Sequence, residues 1–279
     1  MTAAANQNHS ISAPLLQLQE VSLRYGDKSK KLFKSIGYDK YSGPAVDQVS
    51  LQLAAGETLG LVGESGCGKS TLGRIAAGLL LPDSGQRLWC GADVRQLDAA
   101  AQRRARLDVQ LIFQNSHAAL NPRLRSEQLI GEAPVVHGLI RASERRDWVI
   151  QLLQRVGLDA SHIDRYPHQF SGGQRARLGI ARALAVQPRL LICDEAVAAL
   201  DVSVQAQVIN LLLSLRTEFG LSMLFISHDL DVVRHLSDRV LVMHAGQIVE
   251  SGATESVYHQ PQHAYTRSLL ESIPRLARI

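Results

Sequence analysis

The run Gly63-Glu64-Ser65-Gly66-Cys67-Gly68-Lys69-Ser70-Thr71 constrains this chain more than any other feature. Gly63, Gly66 and Gly68 permit backbone conformations and close approaches that a side chain would block. Consecutive N–H groups can therefore turn toward phosphate oxygens. Leu59-Gly60-Leu61-Val62 ahead of the loop reads as a buried strand, and Ser70 to Leu80 behind it is helix-compatible. Phosphates held by such a loop sit at a helix N-terminus. Lys69 is expected to reach β- and γ-phosphates, and the Ser70 hydroxyl to ligate Mg²⁺. From average residue usage the bare pattern arises by chance in roughly one chain of this length in a hundred, so its context decides.

That context is Arg189-Leu190-Leu191-Ile192-Cys193, a run that reads as a strand buried on both faces and ends in Asp194-Glu195. Two acids at a strand end lie at the carboxyl edge of a parallel sheet, where folds of this class bind ligands. Asp194 is expected to hold Mg²⁺, directly or through water. Glu195, one residue further, can reach the far side of a γ-phosphate and polarise an attacking water. Alone, the pair would be two solvated acids; beside a phosphate loop it reads as catalytic.

A second anion site follows from Ser171-Gly172-Gly173-Gln174, which precedes the helix-compatible run Gln174 to Val186. By itself this is an ordinary N-capped turn. One nucleotide can hardly use two such sites in one compact subunit. Two copies arranged head to tail would let each loop face the other's Ser171.

With these motifs in order, residues 15 to 273 resemble the nucleotide-binding subunit of an ATP-binding-cassette (ABC) transporter. The resemblance implies roles for further residues. Tyr25 matches the aromatic that stacks on adenine, with Phe33 and Tyr38 as rivals, and Gln114 the glutamine that contacts Mg²⁺ and the attacking water. Ser171-Gly172-Gly173-Gln174 matches the signature that completes the partner's ATP site. Ala199-Leu200-Asp201 matches the loop that crosses the dimer interface, and His228, in Ser227-His228-Asp229, the histidine on the γ-phosphate. The fold implied is a P-loop α/β core with a parallel-rich sheet, an antiparallel β subdomain and a helical lobe inserted at about 115–187. ATP and Mg²⁺ are the expected cofactors. The expected partners are a second ATPase subunit (a paralogue or itself), two membrane permeases and, indirectly, an extracytoplasmic binding protein. Nucleic acid is not among them. The place of work is the cytoplasmic face of the inner membrane.

Finer features resemble importers of peptides and nickel: Asn121-Pro122-Arg123, Pro261-Gln262-His263-Ala264-Tyr265-Thr266-Arg267, and the insertion Gly26 to Pro44 with Lys28, Lys30, Lys31, Lys34 and Lys40. Most such members have Pro where this chain has Ala264. Ala196-Val197-Ala198 resembles nickel- and metallophore-type members and tilts the cargo toward a metal or a metal chelate. Many relatives carry a Cys-rich iron–sulfur segment after the cassette; with no cysteine after Cys193, no cluster is expected. The alternative is a soluble cassette ATPase of DNA repair or translation. Those typically carry two cassettes, or zinc or linker insertions, which are not seen here.

Composition agrees. With 279 residues, 46% hydrophobic and 20% charged, one α/β core plus an inserted lobe is expected. No 18-residue apolar span is present. Residues 1–14 read as a disordered N-terminus and 274–279 as a tail. Cys67, Cys90 and Cys193 lack paired spacing, so a disulfide framework is not expected. A formal charge of +4 suits nucleotide and a membrane surface rather than nucleic acid.

Overall fold

The computed structural model describes residues 13–25, 43–113, 119–198 and 200–272. Gln114, Ala199, Phe33, Tyr38 and the lysines of the insertion lie outside these described residues. In chain order the strands are β1 (Leu16–Leu23), β2 (Val46–Leu53), β3 (Thr58–Val62), β4 (Ser84–Trp89), β5 (Ala92–Asp93), β6 (Val109–Ile112), β7 (Leu190–Asp194), β8 (Ser222–Ile226), β9 (Arg239–His244) and β10 (Gln247–Ala253). The helices are α1 (Lys69–Ala76), α2 (Ala99–Asp108), α3 (Ser126–Val136), α4 (Arg145–Arg155), α5 (Gly172–Leu184), α6 (Val202–Phe219), α7 (Leu230–Leu236), α8 (Thr254–His259) and α9 (Ala264–Glu271). β2-β1-β4-β5 form an antiparallel sheet. The main sheet runs β10-β9-β3-β8-β7-β6, parallel except for β10.

The apolar runs of β3, β7 and β8 are buried at every position because the main sheet is covered on both faces. Alternation sorts their side chains. Leu59, Leu61, Leu190, Ile192, Leu224 and Ile226 join the core shared with the antiparallel sheet and with Leu72, Ile75 and Ala76 of α1. Leu191, Cys193, Met223 and Phe225 face the opposite way, into a core built with α3 to α7. The described part of 115–187 holds α3, α4, short 3₁₀ turns and α5, with no strand. Trp148 to Leu153, amphipathic in sequence, lies in α4 and buries Val149, Leu152 and Leu153.

Two boundaries differ from the sequence expectation for physical reasons. The run expected to be helical to Leu80 stops at Ala76. Gly78 takes φ +74°, and the Leu79 N–H returns to the Arg74 carbonyl at 2.9 Å, closing the helix in a glycine-dependent turn. The helix expected from Gln174 begins two residues earlier, at Gly172, because Ser171 caps it. α2 has no counterpart in the sequence expectation, and only Ala105 and Asp108 on it are buried.

The register brings the site together. Leu61 of β3 and Asp194 of β7 both pair with Ile226 of β8, and Cys193 pairs with Ile112 of β6. The four carboxyl ends therefore finish at nearly one level, and the loops that follow them share one edge.

Candidate nucleotide site

The loop 63–68 leaves β3 and enters α1. Gly63, Gly66 and Gly68 take φ +151°, +82° and +112°. At two of them space as well as torsion demands glycine. A Cβ on Gly63 would run into the Met243 carbonyl oxygen, and one on Gly68 into that of Ala45. Gly246 donates its N–H to the Cys67 carbonyl at 3.0 Å, so the ends of β9 and β2 brace the loop from outside. Lys69 is 4% exposed, with Nζ donating to the carbonyls of Gly63 (2.7 Å) and Glu64 (2.8 Å). Glu64, Ser65 and Gly66 are exposed along the loop's outer limb.

The Ser70 hydroxyl donates to Asp194 Oδ1 at 2.8 Å, joining the start of α1 to the end of β7. Burial raises the Asp194 carboxyl above its ordinary range, against the lowering effects of the Ser70 hydrogen bond and of Arg74 and Lys69. Burial also raises both neighbouring thiols, Cys193 up to about 12 and Cys67 by less, with Lys69 opposing it at Cys67. Both cysteines are thus held as neutral thiols, poor as nucleophiles or metal ligands. All three cysteines are free.

Glu195 sits at φ +48°, a left-handed conformation unusual outside glycine. Its N–H donates to the Ile226 carbonyl at 2.9 Å, tying the bend to β8. His228, in the loop after β8, places Nδ1 3.5 Å from Glu195 Oε1 and leaves its side chain 57% exposed. Tyr25 follows β1, is 40% exposed, and shares a 3.1 Å hydroxyl contact with Thr71 Oγ1. Its ring is thereby fixed against the first turn of α1. Tyr25, residues 63–71, Asp194, Glu195 and His228 thus form one cluster.

Ser171, Gly172, Gly173, Gln174 and Asp201 form a second. Ser171 caps α5 in a reciprocal box: its hydroxyl accepts from Gln174 N–H at 3.3 Å, and Gln174 Oε1 accepts from Ser171 N–H at 3.0 Å. Ser171 and Gly172 are exposed, whereas a Cβ on Gly173 would collide with Val204 of α6. Asp201 is the exposed N-cap residue of that same helix, with no capping bond from its side chain. Gln205 of α6 reaches Asp229, beside His228, at 3.5 Å and links the two clusters.

Sequence reasoning did not foresee a role for Tyr265 at the loop. Its hydroxyl accepts the Glu64 N–H at 3.0 Å, and its ring lies 4.1 Å from that of His244. The signal was the run Pro261 to Arg267, read only as a family resemblance. Ala264 occupies the first position of α9, where a missing N–H costs nothing, which explains why proline serves there in similar chains.

A main sheet of this topology, with a phosphate loop and two acids at its carboxyl edge, defines a P-loop nucleotide hydrolase. Residues 46–198 match the family described as ABC transporter. The chain is 52% identical over 231 residues to the oligopeptide transport ATP-binding protein of Salmonella typhimurium, across 82% of this chain and 69% of that one. A Bacillus subtilis oligopeptide transport ATP-binding protein is 48% identical over 272 residues, across 97% and 80%. Among solved structures, the dimeric post-hydrolysis state of an ATP-binding cassette bound to ADP and Pi superposes with TM-score 0.72 at 26% identity, over 86% of this chain and 98% of that one. This chain belongs to the ABC transporter family and is one of its ATPases, binding ATP and hydrolysing it.

Proposed function

We propose that this chain is the ATP-hydrolysing subunit of a membrane importer of short peptides. It would act at the cytoplasmic face of the inner membrane, paired with a second ATPase subunit and two permeases and served by an extracytoplasmic binding protein. The observation that carries this reading is the identity of about one half to oligopeptide transport ATPases over most of their length. Among the described residues no helix is long and apolar enough to cross a membrane, which fits a requirement for separate permeases. The relatives' names speak of peptides, so peptide rather than nickel or a metal chelate is the cargo we favour. The soluble alternative draws no support from them.

The chemistry follows from the first cluster. Hard oxygen donors at Ser70 and Asp194, 2.8 Å apart, suit Mg²⁺, which when bound neutralises phosphate charge. Lys69 would supply positive charge to the β- and γ-phosphates, and the N–H groups of residues 65–71 would cradle them. Glu195 would orient water for attack and draw its proton. His228 would donate to a γ-phosphate oxygen while held by Glu195. Gln114 would line the same water and metal. Ser171 and Gly173 would complete the site of the partner subunit, and Asp201 would meet that partner across the interface. The segment 115–187 would form the helical lobe that transmits closure to the permeases.

Tyr25→Ala is expected to weaken ATP binding by roughly 1 kcal/mol through lost stacking, with the catalytic rate at saturating ATP little changed. Titration calorimetry beside steady-state kinetics checks this. An unchanged affinity would move the adenine contact to Phe33 or Tyr38. For the cargo, uptake of radiolabelled trialanine by a strain lacking this chain should be lost, and restored by the wild-type chain but not by Glu195→Gln. Loss of ⁶³Ni²⁺ uptake with intact trialanine uptake would instead support a metal importer.

A further inference from the structure

We infer that Tyr265 is a positioning residue for the phosphate loop: through its hydroxyl, the C-terminal helix α9 sets the geometry of Glu64 and thereby of Lys69. The inference rests on the reading of residues 63–71 as the ATP site.

The contact joins residues 201 positions apart, and a chain of bonds holds it in place. Glu250 of β10 accepts the N–H of Gln262 at 2.8 Å on one carboxylate oxygen and that of His263 at 2.9 Å on the other. Arg267 closes back on the carbonyls of Pro261 (3.2 Å) and Gln262 (3.0 Å). His263 Nδ1 accepts the Tyr265 N–H at 3.2 Å, capping α9 and fixing where the tyrosine leaves the helix. Thr266 beside it is buried, and the tyrosine ring packs against the core and over His244. With the backbone around it fixed by these bonds and its ring packed against the core and His244, the tyrosine presents its hydroxyl to the Glu64 N–H pre-organised.

Glu64 is a consequential place to hold. It begins the exposed limb of the loop, and its own carbonyl accepts from Lys69 Nζ at 2.8 Å, beside the Gly63 carbonyl at 2.7 Å. The tyrosine therefore pins the N–H side of the residue whose carbonyl side holds the lysine. From outside the loop, backbone also braces it: Met243 under Gly63, Ala45 under Gly68 and Gly246 on Cys67; from within, Lys69 holds the Gly63 and Glu64 carbonyls. Tyr265 supplies a side-chain brace, on the limb those contacts leave open to solvent. Releasing it frees the Gly63–Ser65 limb to sample conformations that do not receive phosphate, and a fractionally populated competent state lowers apparent affinity. Once ATP is bound and the loop is ordered around it, the chemical step proceeds as before.

The test is Tyr265→Phe in the full chain, which keeps the ring on His244 and removes only the hydroxyl. The expected result is a Kd and a KM for MgATP raised about 3- to 10-fold, in keeping with one lost hydrogen bond. At saturating ATP, kcat should change by no more than about twofold. Hydrogen exchange at the Glu64 amide should accelerate in the variant without nucleotide. Detaching the segment by Glu250→Ala should raise KM in the same way, and the double variant should be no worse than the worse single one, because both act through one bond. Lys69→Ala, with Kd read by titration calorimetry, should weaken ATP binding and hydrolysis together, and more strongly than Tyr265→Phe. If Lys69→Ala does so while Tyr265→Phe binds like wild type, the positioning role is overturned. If Lys69→Ala binds ATP normally, the loop is not the ATP site and the inference falls with that assignment. A lower kcat with unchanged KM would mark Tyr265 as a purely structural residue and also overturn the proposal.

Discussion

Glu195→Gln is expected to bind ATP as the wild type does and to hydrolyse it on the order of 10²-fold more slowly, or worse. The amide is nearly isosteric with the carboxylate, and the left-handed bend at φ +48° with its N–H on the Ile226 carbonyl is a backbone feature that survives the change. What is lost is the carboxylate charge that would draw the water's proton, which is also the charged partner 3.5 Å from His228 Nδ1. Affinity and turnover should separate cleanly, since only an interaction made in the transition state is removed. In the proposed mechanism hydrolysis reopens a closed pair of subunits, so the variant should also accumulate as an ATP-bound dimer in sedimentation velocity. Near-normal turnover of the purified variant would mean that another group orients the water.

Ser171→Arg is expected to leave ATP binding by its own subunit intact and to abolish turnover of the assembled pair. Ser171 is exposed at the N-terminus of α5, and a helix N-terminus can receive an anion. In the proposed shared site, an arginine there would put bulk and a flexible cation in the place of a partner's γ-phosphate. Part of the effect is local, because the reciprocal cap with Gln174 is also lost, worth about 1 kcal/mol. Ser171→Asn, which can cap without the cation, separates the two: it should fold like wild type, so any loss of turnover in it comes from the interface and not from a damaged helix. Melting curves of both variants, read beside their ATP affinities, distinguish a damaged helix from a blocked interface.

The parts of the site legible in the sequence are those set by local rules. The glycines at 63, 66 and 68, the apolar runs of β3 and β7, and the acids ending β7 each follow from backbone torsion or strand periodicity. The structure places them at one sheet edge. Helix limits were less legible, because the turn at Gly78 ends α1 at Ala76, four residues before the expected limit at Leu80. α2 was missed since its Ala- and Arg-rich sequence buries too little to show a stripe. The left-handed backbone of Glu195 leaves no trace in sequence, because glutamate does not favour it and its hydrogen bond to Ile226 of β8 is a long-range contact. Tyr265 was visible only as part of a resemblance. Its contact with Glu64 depends on β10, Glu250 and α9 all being in place, and no local pattern encodes that.

The central claim is that each ATP is hydrolysed between two subunits, the phosphate loop from one and Ser171 from the other. The measurement that tests it most directly is the ATPase rate of a mixture of Lys69→Ala and Ser171→Arg subunits, compared with each alone across a range of protein concentrations. In the mixed pair one composite site joins an intact Lys69 to an intact Ser171, while the other carries both defects. The account predicts that each variant alone is nearly inactive and that mixing restores hydrolysis with a rate rising steeply with concentration. Normal, concentration-independent activity of Ser171→Arg alone would contradict it, because hydrolysis would then be complete within one subunit.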